Sequence, residues 1–322
     1  MTEGPASTTK KLTNIGTVLV PTDFSDESHK ALRYASALVR ELRANLHVVH
    51  VGEIDFAVPG PARPGANPLS SDTEEARALK RQLEGVIGES TSVAFHGRTG
   101  RAFDQIVRLA REIHADLVVM STHGRTGLKR LFLGSNAERV VQHSSSPVLV
   151  VRRGEGQQVD EAQPFRIQTI LVPTDFSSSA KEALEYAVKF GRQFGARLVL
   201  FHSFTAPDVL STDAYARGFV PPIPEEARTT AEEQMREFAE SADFGGMHFD
   251  THVTMGAAAE AICDYAAKQN ADLIVTSTHG RTGFLHVLIG SVAEHVVRYA
   301  HSPVLVVPAS VKKVEIGRPA AD

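Results

Sequence analysis

Short apolar runs alternate with helical patterns along the first half of the chain. Five runs have the continuous Val, Leu and Ile content that is typical of buried parallel strands. They lie at residues 15–20, 46–51, 92–95, 117–120 and 147–151. The four segments between them carry apolar residues at helical spacing, and Ser25 or Asp26 is the candidate N-cap of the first. Alternation of this kind predicts an α/β fold, a doubly wound, Rossmann-like parallel sheet with helices on both faces.

The second half of the chain repeats this pattern. Residues 170–177 read ILVPTDFS and match VLVPTDFS at 18–25 with an offset of 152. PVLVV at 303–307 matches PVLVV at 147–151 with an offset of 156. Because this period is far longer than a solenoid repeat, it indicates a duplicated domain. The offset grows by four residues, and we place the net insertion in the loop at 204–224.

The duplication predicts two tandem five-stranded domains, at residues 14–153 and 166–309. Residues 154–165 between them are polar and contain glycine, which is typical of a linker.

A glycine-rich loop follows the fourth strand of each copy. STHGRTG at 121–127 precedes Gly134-Ser135, and STHGRTG at 277–283 precedes Gly290-Ser291. Glycine permits positive φ and close approach of a ligand, and unpaired amides at a helix start attract phosphate. The two serines are the expected helix N-caps. A tight strand-to-helix connection explains one such loop equally well, but two copies with the same spacing favour anion binding.

Asp23 and Asp175 follow the first strand of each copy. In a doubly wound sheet, ligands bind beyond the carboxyl ends of the strands, where the strand order reverses. An order of 3-2-1-4-5 would place each aspartate opposite its glycine-rich loop, whereas an order of 2-1-3-4-5 would open the crevice between the first and third strands. A carboxylate opposite phosphate-binding amides suits a nucleotide. Alternatively, the aspartates cap the helices that follow them.

These motifs resemble the universal stress protein family, in its form with two tandem domains. The resemblance covers nearly all of residues 14–308 and rests on VPTDFS at 20–25, the glycine-rich segment at 121–135 and SPVLV at 146–150, with their second-half equivalents. The family's nucleotide motif is glycine, two residues, glycine, nine residues, then glycine with serine or threonine. Members that carry it bind ATP, and members that lack the glycines do not.

The resemblance implies a strand order of 3-2-1-4-5 and a site for ATP with Mg²⁺ in each half. Adenine and ribose would contact the ends of the first two strands, and the phosphates would contact the glycine-rich loop. In the first half the candidate ligand-binding residues are Pro21, Thr22, Asp23, Val51, Met120, Ser121, Gly124, Arg125, Gly127, Gly134, Ser135 and Asn136. In the second half they are Pro173, Thr174, Asp175, Ser203, Ser277, Gly280, Arg281, Gly283, Gly290, Ser291 and Val292.

Two features depart from the family pattern. Ser121 and Ser277 replace the first glycine of the motif, which costs about 1 kcal/mol if φ is positive there and nothing if φ is negative. Ser203 stands where the first half has Val51, a polar change beneath the proposed base.

Other polar residues of the loops have two interpretations. His123 and His279 could contact phosphate or act as acid–base groups, but a loop histidine bonded to the backbone is the favoured interpretation. Arg125 and Arg281 could neutralise phosphate charge or lie in solvent.

Composition narrows the class of protein. The chain has 322 residues, of which 42% are hydrophobic and 22% charged, with a net charge of −4. These values predict a soluble globular protein whose partners are neither nucleic acid nor membrane. The single cysteine, Cys263, allows no intrachain disulfide, which fits a cytoplasmic protein, and its apolar helical surroundings indicate packing. His50 and His202, late in buried strands, are expected to be satisfied core histidines.

The chain carries no recognised catalytic motif, and its glycine-rich loops lack the lysine of a Walker A loop. The sequence therefore predicts a stress-response, ATP-binding regulator that acts by conformational or partner switching. A scaffold that binds no nucleotide and a weak ATP hydrolase are the alternatives. The PVLVV strands are expected at sheet edges, where the two domains of one chain would pair; pairing between chains in a homodimer is the rival arrangement.

Overall fold

The structure, a computed structural model, describes residues 15–52, 74–88, 92–122, 134–152, 165–205, 225–280 and 289–309. The strands of the first half are β1 (Thr17–Pro21), β2 (Asn45–Gly52), β3 (Val93–Thr99), β4 (Leu117–Ser121) and β5 (Val148–Val151). Its helices are α1 (Asp26–Leu42), α2 (Glu74–Ile87), α3 (Ala102–Glu112) and α4 (Ser135–His143).

The second half repeats this succession of elements. Its strands are β6 (Thr169–Pro173), β7 (Arg197–Phe204), β8 (Phe249–Met255), β9 (Leu273–Ser277) and β10 (Val304–Val307). Its helices are α5 (Ser178–Phe194), α6 (Glu225–Glu240), α7 (Ala258–Lys268) and α8 (Ser291–Tyr299).

The ten described strands form one sheet in the order β3-β2-β1-β4-β5-β10-β9-β6-β7-β8. Within each half all neighbouring strands are parallel, which confirms the predicted α/β class and the 3-2-1-4-5 order. The alternative order is wrong, because β1 pairs with β4 and places Val18 opposite Leu117. The strand order therefore reverses between β1 and β4, and again between β6 and β9.

The two half-sheets join edge to edge at the seam, the antiparallel pair β5–β10. Leu149 lies opposite Leu305, and both are almost fully buried. The continuous Val and Leu content of these strands suits a position covered on both faces. Because the seam is antiparallel while each half is parallel, the carboxyl ends of the two halves' strands lie at opposite edges of the sheet.

Alternate strand residues bury into two cores, one on each face of the sheet. Val18 and Val20 of β1 belong to the core that α1, α2, α5 and α6 cover, whereas Leu19 belongs to the core that α3, α4, α7 and α8 cover. The period of two along each strand assigns successive side chains to opposite faces. Each described helix thus covers one face of the sheet.

The first helix of each half begins at a serine cap. The Oγ of Ser25 accepts the amide of Ser28, and the Oγ of Ser177 accepts the amide of Ala180, both at 3.2 Å. Side chains of this kind satisfy an otherwise unpaired amide of the first turn. Of the two candidate caps of α1, the structure selects Ser25, and Asp26 is the first helical residue.

The insertion in the second half lies elsewhere than predicted. The connection between α6 and β8 has 8 residues, against 5 between α2 and β3. Three of the four extra residues therefore lie after α6, and the assignment of the whole insertion to 204–224 was wrong.

The third strand is also longer than its apolar run. It continues through Gly97, Arg98 and Thr99, which pair in register with the end of β2. Pairing with the neighbouring strand outweighs the low strand propensity of glycine at this position.

Candidate functional site

Each half carries a tight turn where its first strand ends. The amide of Thr22 donates to Val49 O, and the amide of Thr174 donates to Phe201 O, both at 2.8 Å. These bonds tie the turn to the second strand of the same half. Pro21 and Pro173, which close β1 and β6, lie directly before the two threonines, and both threonines are buried.

A phenylalanine in the left-handed region closes the turn. Phe24 has φ 61° and Phe176 has φ 66°, a conformation that costs a bulky residue about 1 kcal/mol or more. In each half the phenylalanine amide donates to the hydroxyl of the buried threonine two residues earlier, at 3.1 and 2.9 Å. A strained residue held in place at the same position of both halves marks a turn whose shape matters.

His50 and His202 hold the turn from the second strand. The Nδ1 of His50 donates to Thr22 O at 2.8 Å, and the Nδ1 of His202 donates to Thr174 O at 2.7 Å. Their rings contact the strained phenylalanines with centroid distances of 4.7 and 4.3 Å. Both histidines have the bonds expected of satisfied residues, but they are half-buried and support the turn rather than fill the core. Their equal positions in the two copies are the sequence signal for this role.

The aspartates of the turn have two separate contacts. Asp23 Oδ1 accepts the amide of Ser25, and Asp175 Oδ1 accepts the amide of Ser177, both at 3.0 Å. The serines, and not the aspartates, cap α1 and α5, so the helix-cap interpretation of the aspartates is wrong. One carboxylate oxygen thus fixes the turn.

The other oxygen of Asp175 faces the glycine-rich loop of its half. A Cβ atom placed on Gly280 would lie 2.6 Å from Asp175 Oδ2, a separation that atoms do not adopt. Gly280 is exposed, and its φ lies outside the left-handed region, so close approach and not positive φ requires glycine there. The crevice between β6 and β9 therefore has a carboxylate on one wall and exposed backbone on the other.

The helix that follows each loop begins one residue earlier than predicted. The N-caps are Gly134, with φ −59°, and Gly290, with φ −58°, so neither glycine has the positive φ that the pattern suggested. Ser135 and Ser291 are the first helical residues, and their assignment as N-caps was wrong. The glycine carbonyls already accept the first helical bonds, which fixes them at the cap position.

The N-cap amides are not available to a ligand. Gly134 N donates to Thr122 O at 2.7 Å, and Gly290 N donates to Thr278 O at 2.8 Å. The three amides of each first helical turn, by contrast, receive no side-chain cap within the described residues. They belong to Ser135, Asn136 and Ala137 in α4 and to Ser291, Val292 and Ala293 in α8. These first-turn amides, with the positive end of the helix dipole, form the anion-attracting group.

The serines that replace the first glycine are not strained. Ser121 and Ser277 are the last residues of β4 and β9, and neither has a positive φ. The anticipated cost of about 1 kcal/mol therefore does not arise. The hydroxyl of Ser277 donates to His279 O at 2.8 Å, which ties the loop to the strand end. Met120, the preceding residue in β4, is buried in the core.

Thr278 organises the start of the second loop, a role that the sequence analysis missed. Its hydroxyl lies 2.9 Å from His279 Nδ1 and accepts the amide of Ala309 at 3.1 Å. Its carbonyl accepts Gly290 N, and its own amide donates to Val307 O. His279 is thus a loop histidine bonded to a neighbouring side chain. The buried Thr122 occupies the same position in the first half.

The second strands differ at one predicted site position near their ends. Val51 packs against the core on the α3–α4 face. Ser203, its counterpart, donates its hydroxyl to Gly256 O at 2.6 Å. The polar change is therefore satisfied within the protein.

Several predicted site residues lie outside the described residues. They are His123, Gly124, Arg125, Gly127, Arg281 and Gly283.

Burial shifts the pKa values of two titratable side chains, His29 and Cys263. Burial, with the nearby charge of Arg33, lowers the pKa of His29 in the first turn and a half of α1. Burial raises the pKa of the Cys263 thiol to about 11, which fits a packing role. Among the described residues, no three His, Cys, Asp or Glu side chains gather into a metal site. Nor does any described helix have the length and apolar content needed to span a membrane.

Comparison with known proteins assigns the family. The model of the universal stress protein family matches residues 14–152 and again residues 166–308. The chain therefore belongs to the universal stress protein family, and it carries two copies of the family's domain.

Individual relatives agree with this assignment. A universal stress protein of Mycolicibacterium smegmatis is 28% identical over 299 residues, which cover 90% of this chain and 96% of that protein. Universal stress protein MJ0531 of Methanocaldococcus jannaschii is 36% identical over 141 residues, 42% of this chain and 81% of that protein. The crystal structure of a universal stress protein from Archaeoglobus fulgidus, 22% identical, covers 90% of this chain and 97% of its own with a TM-score of 0.62. That likeness supports the tandem fold.

Proposed function

We propose that each half of the chain binds one adenine nucleotide, ATP with Mg²⁺, and that occupancy changes the shape or the partners of the protein without catalytic turnover. The binding units are the domains at 14–153 and 166–309, joined by the linker at 154–165. The protein would act in the cytoplasm. The nucleotide site of each unit is the crevice between its first and fourth strands.

The approach of Asp175 to Gly280 carries this proposal. It brings a carboxylate and exposed backbone to the point where the strand order reverses, which is where doubly wound sheets bind ligands. The exposed first turn of α8 supplies amides without side-chain caps at the same edge. A carboxylate suits the hydroxyls of ribose, and helix-terminal amides suit phosphate, so the pair fits a nucleotide.

The residues divide between the parts of the nucleotide. Asp23 and Asp175 would accept hydrogen bonds from ribose, and Val51 and Ser203 would border the base. The first-turn amides and hydroxyls of α4 and α8 would bind the phosphates, with Arg125 and Arg281 as counter-charges. The phosphates of the nucleotide would coordinate Mg²⁺, since Mg²⁺ is usually held by phosphates and one or two carboxylates.

Isothermal titration of the full chain with ATP and Mg²⁺ tests the proposal. The expected result is saturable binding of two nucleotides per chain. Asp23→Ala and Asp175→Ala should each remove one of them, and Asp26→Ala, an exposed carboxylate at the start of α1, is the matched control. A solved universal stress protein is described in complex with cAMP, so cAMP is titrated beside ATP to compare the phosphate groups.

Absence of heat at millimolar ATP, with a folded chain by circular dichroism, would contradict nucleotide binding and leave an interaction scaffold. The switching part of the proposal needs a second measurement. Hydrogen exchange should show protection of α4, α8 and the adjoining strand ends when ATP is added. Steady phosphate release over many turnovers would contradict a purely regulatory role.

A further inference from the structure

A groove lies between α6 and β8, at the edge of the sheet away from the crevice between β6 and β9. Its volume is about 450 Å³. Its apolar walls come from Met235 and Ala239 of α6, from Phe249 and Val253 of β8, and from Phe244 in the connection between them. Phe249 stacks on Phe244 with a centroid distance of 4.1 Å, yet it remains 37% exposed. An aromatic side chain that stays open to solvent beside an apolar groove indicates a docking surface.

The β8 strand ends the sheet, and no described strand pairs with its outer side. His248 O accepts the amide of Leu198, and Gly256 N donates to Phe204 O, so even-numbered residues direct their main chain towards β7. Main-chain groups alternate along a strand, and those of Phe249, Thr251 and Val253 therefore face outward. The same three side chains line the groove. The edge thus offers hydrogen bonds and apolar contacts at the same residues.

The helix beside the groove is acidic. It carries six exposed glutamates against two arginines, a net charge of −4, at Glu225, Glu226, Glu232, Glu233, Glu237 and Glu240 against Arg228 and Arg236. Its counterpart α2 carries three glutamates against three basic residues, at Glu74, Glu75 and Glu84 against Arg77, Lys80 and Arg81. The acidic field is therefore specific to the second half of the chain. A field of this sign attracts a positively charged partner.

We propose that this groove binds an extended, basic segment of another polypeptide, which adds a strand to β8. Strand addition draws its affinity from main-chain hydrogen bonds and its specificity from pockets for alternate side chains. The β8 edge supplies the main-chain hydrogen bonds, and the space between Met235 and Phe249 supplies a pocket for side chains. The acidic field of α6 favours a segment of net positive charge. This inference stands apart from the nucleotide proposal, since it uses the β8 edge of the sheet and not the crevice between β6 and β9.

Fluorescence anisotropy with the full chain tests the inference. The probe is a fluorescein-labelled peptide of four Lys-Val repeats, and the matched control is a peptide of four Glu-Val repeats. We expect saturable binding of the Lys-Val peptide and at least about tenfold weaker binding of the Glu-Val peptide. Because exposed charges contribute, added salt should weaken the Lys-Val complex.

Two variants locate the site on the protein. Phe249→Ala should weaken peptide binding at least about tenfold, as truncation of a central aromatic contact does. Val93→Ala, at the equivalent position of the opposite edge strand β3, is its matched control and should leave binding unchanged. Replacing Glu232, Glu237 and Glu240 with glutamine should reduce both the affinity and its salt dependence. Circular dichroism melting checks that each variant is folded.

Three results would overturn the inference. The first is equal binding of the two peptides or binding that ignores Phe249→Ala. The second is a dimer in sedimentation that Phe249→Ala dissociates, which would assign the groove to a second copy of the chain. The third is peptide binding that appears only after residues 310–322 are deleted, which would assign the groove to that segment of the chain itself.

Discussion

The two halves of the chain share the framework of the candidate site and differ in what surrounds it. In both, a histidine of the second strand bonds a threonine carbonyl, and a phenylalanine sits in the left-handed region. In both, a strand-end threonine accepts the N-cap amide of the next helix. By contrast, the second strand carries Val51 near its end in one half and Ser203 in the other, and the helices α2 and α6 differ by four in net charge. The two halves thus share the geometry of the turn, whereas the end of the second strand and the outer helix differ between them.

The largest expected effect concerns the seam, where the halves are most alike. Leu149→Ala and Leu305→Ala each remove a buried side chain of a register pair, and each should cost about 2–5 kcal/mol in the free energy of unfolding. Urea denaturation measures both. Equal costs and a double variant that departs from additivity are expected, since the two side chains are neighbours. A cost below about 1 kcal/mol for either would mean that the seam does not hold in solution.

Next in size is the loss of one site through Gly280→Ala. The added methyl group would collide with Asp175 Oδ2 and displace the carboxylate. Loss of a hydrogen bond to a charged group costs about 1.5–3 kcal/mol, which is roughly 10–100-fold in affinity at the second site. Titration should then show one tight ATP per chain. Gly85→Ala, where a methyl group would meet nothing within 4 Å, is the control, and equal binding by both variants would contradict the expectation.

An exchange of Val51 and Ser203 sharpens the comparison of the two sites. In a Gly280→Ala background, Val51→Ser should weaken ATP binding to the first site by about 1 kcal/mol, or roughly fivefold, because apolar contact with the base is lost. In an Asp23→Ala background, Ser203→Val reports on the second site and leaves Gly256 O without its present donor. Titration calorimetry measures both. Unchanged affinities would mean that this wall does not contact the base.

The smallest expected effect concerns a histidine pair that only the first half has. His47 Nδ1 lies 2.9 Å from His96 Nε2, whereas the second half has Val199 and His252 at these positions. Burial lowers the pKa of His47, and burial together with His47 and Arg98 lowers that of His96. Imidazoles with lowered pKa take up fewer protons than in the unfolded chain, so stability is intact above about pH 6.5 and falls as the pH drops below it.

His47→Val copies the second half and should flatten this loss of stability between about pH 7 and pH 5. Thermal melts of the two proteins across this range measure the slopes. Parallel slopes would show that the pair does not contribute to the acid sensitivity of the first half.

Most of the fold could be predicted because the hydrophobic pattern identifies the strands, and because the duplicated half shows each strand pattern a second time. The residues alone left two strand orders open, and the resemblance to the universal stress protein family implied 3-2-1-4-5, which the pairing of β1 with β4 confirms. The insertion was misplaced because α6 and its connection carry no strand signature against which to align. Gly97 was not predicted to be part of the third strand. Pairing with β2 extends the strand through it, and local propensity does not record such pairing.

The candidate site was predicted by residue type more successfully than by role. Serine is a preferred N-cap, so Ser135 and Ser291 were chosen, but the carbonyls of Thr122 and Thr278 fix the preceding glycines at that position. Gly280 was noted for backbone freedom, whereas the structure requires it for contact with Asp175. Long-range partners of this kind are invisible in a local pattern.

The antiparallel seam has a consequence for communication between the halves. The two crevices open at opposite edges of the sheet, so one small molecule does not span both. Any cooperativity between the two must then travel through the hydrogen-bonded ladder of β5 and β10 and the helices packed on it. A variant in which one crevice is disabled would therefore bind ligand as a simple one-site receptor, unless that ladder couples the two halves.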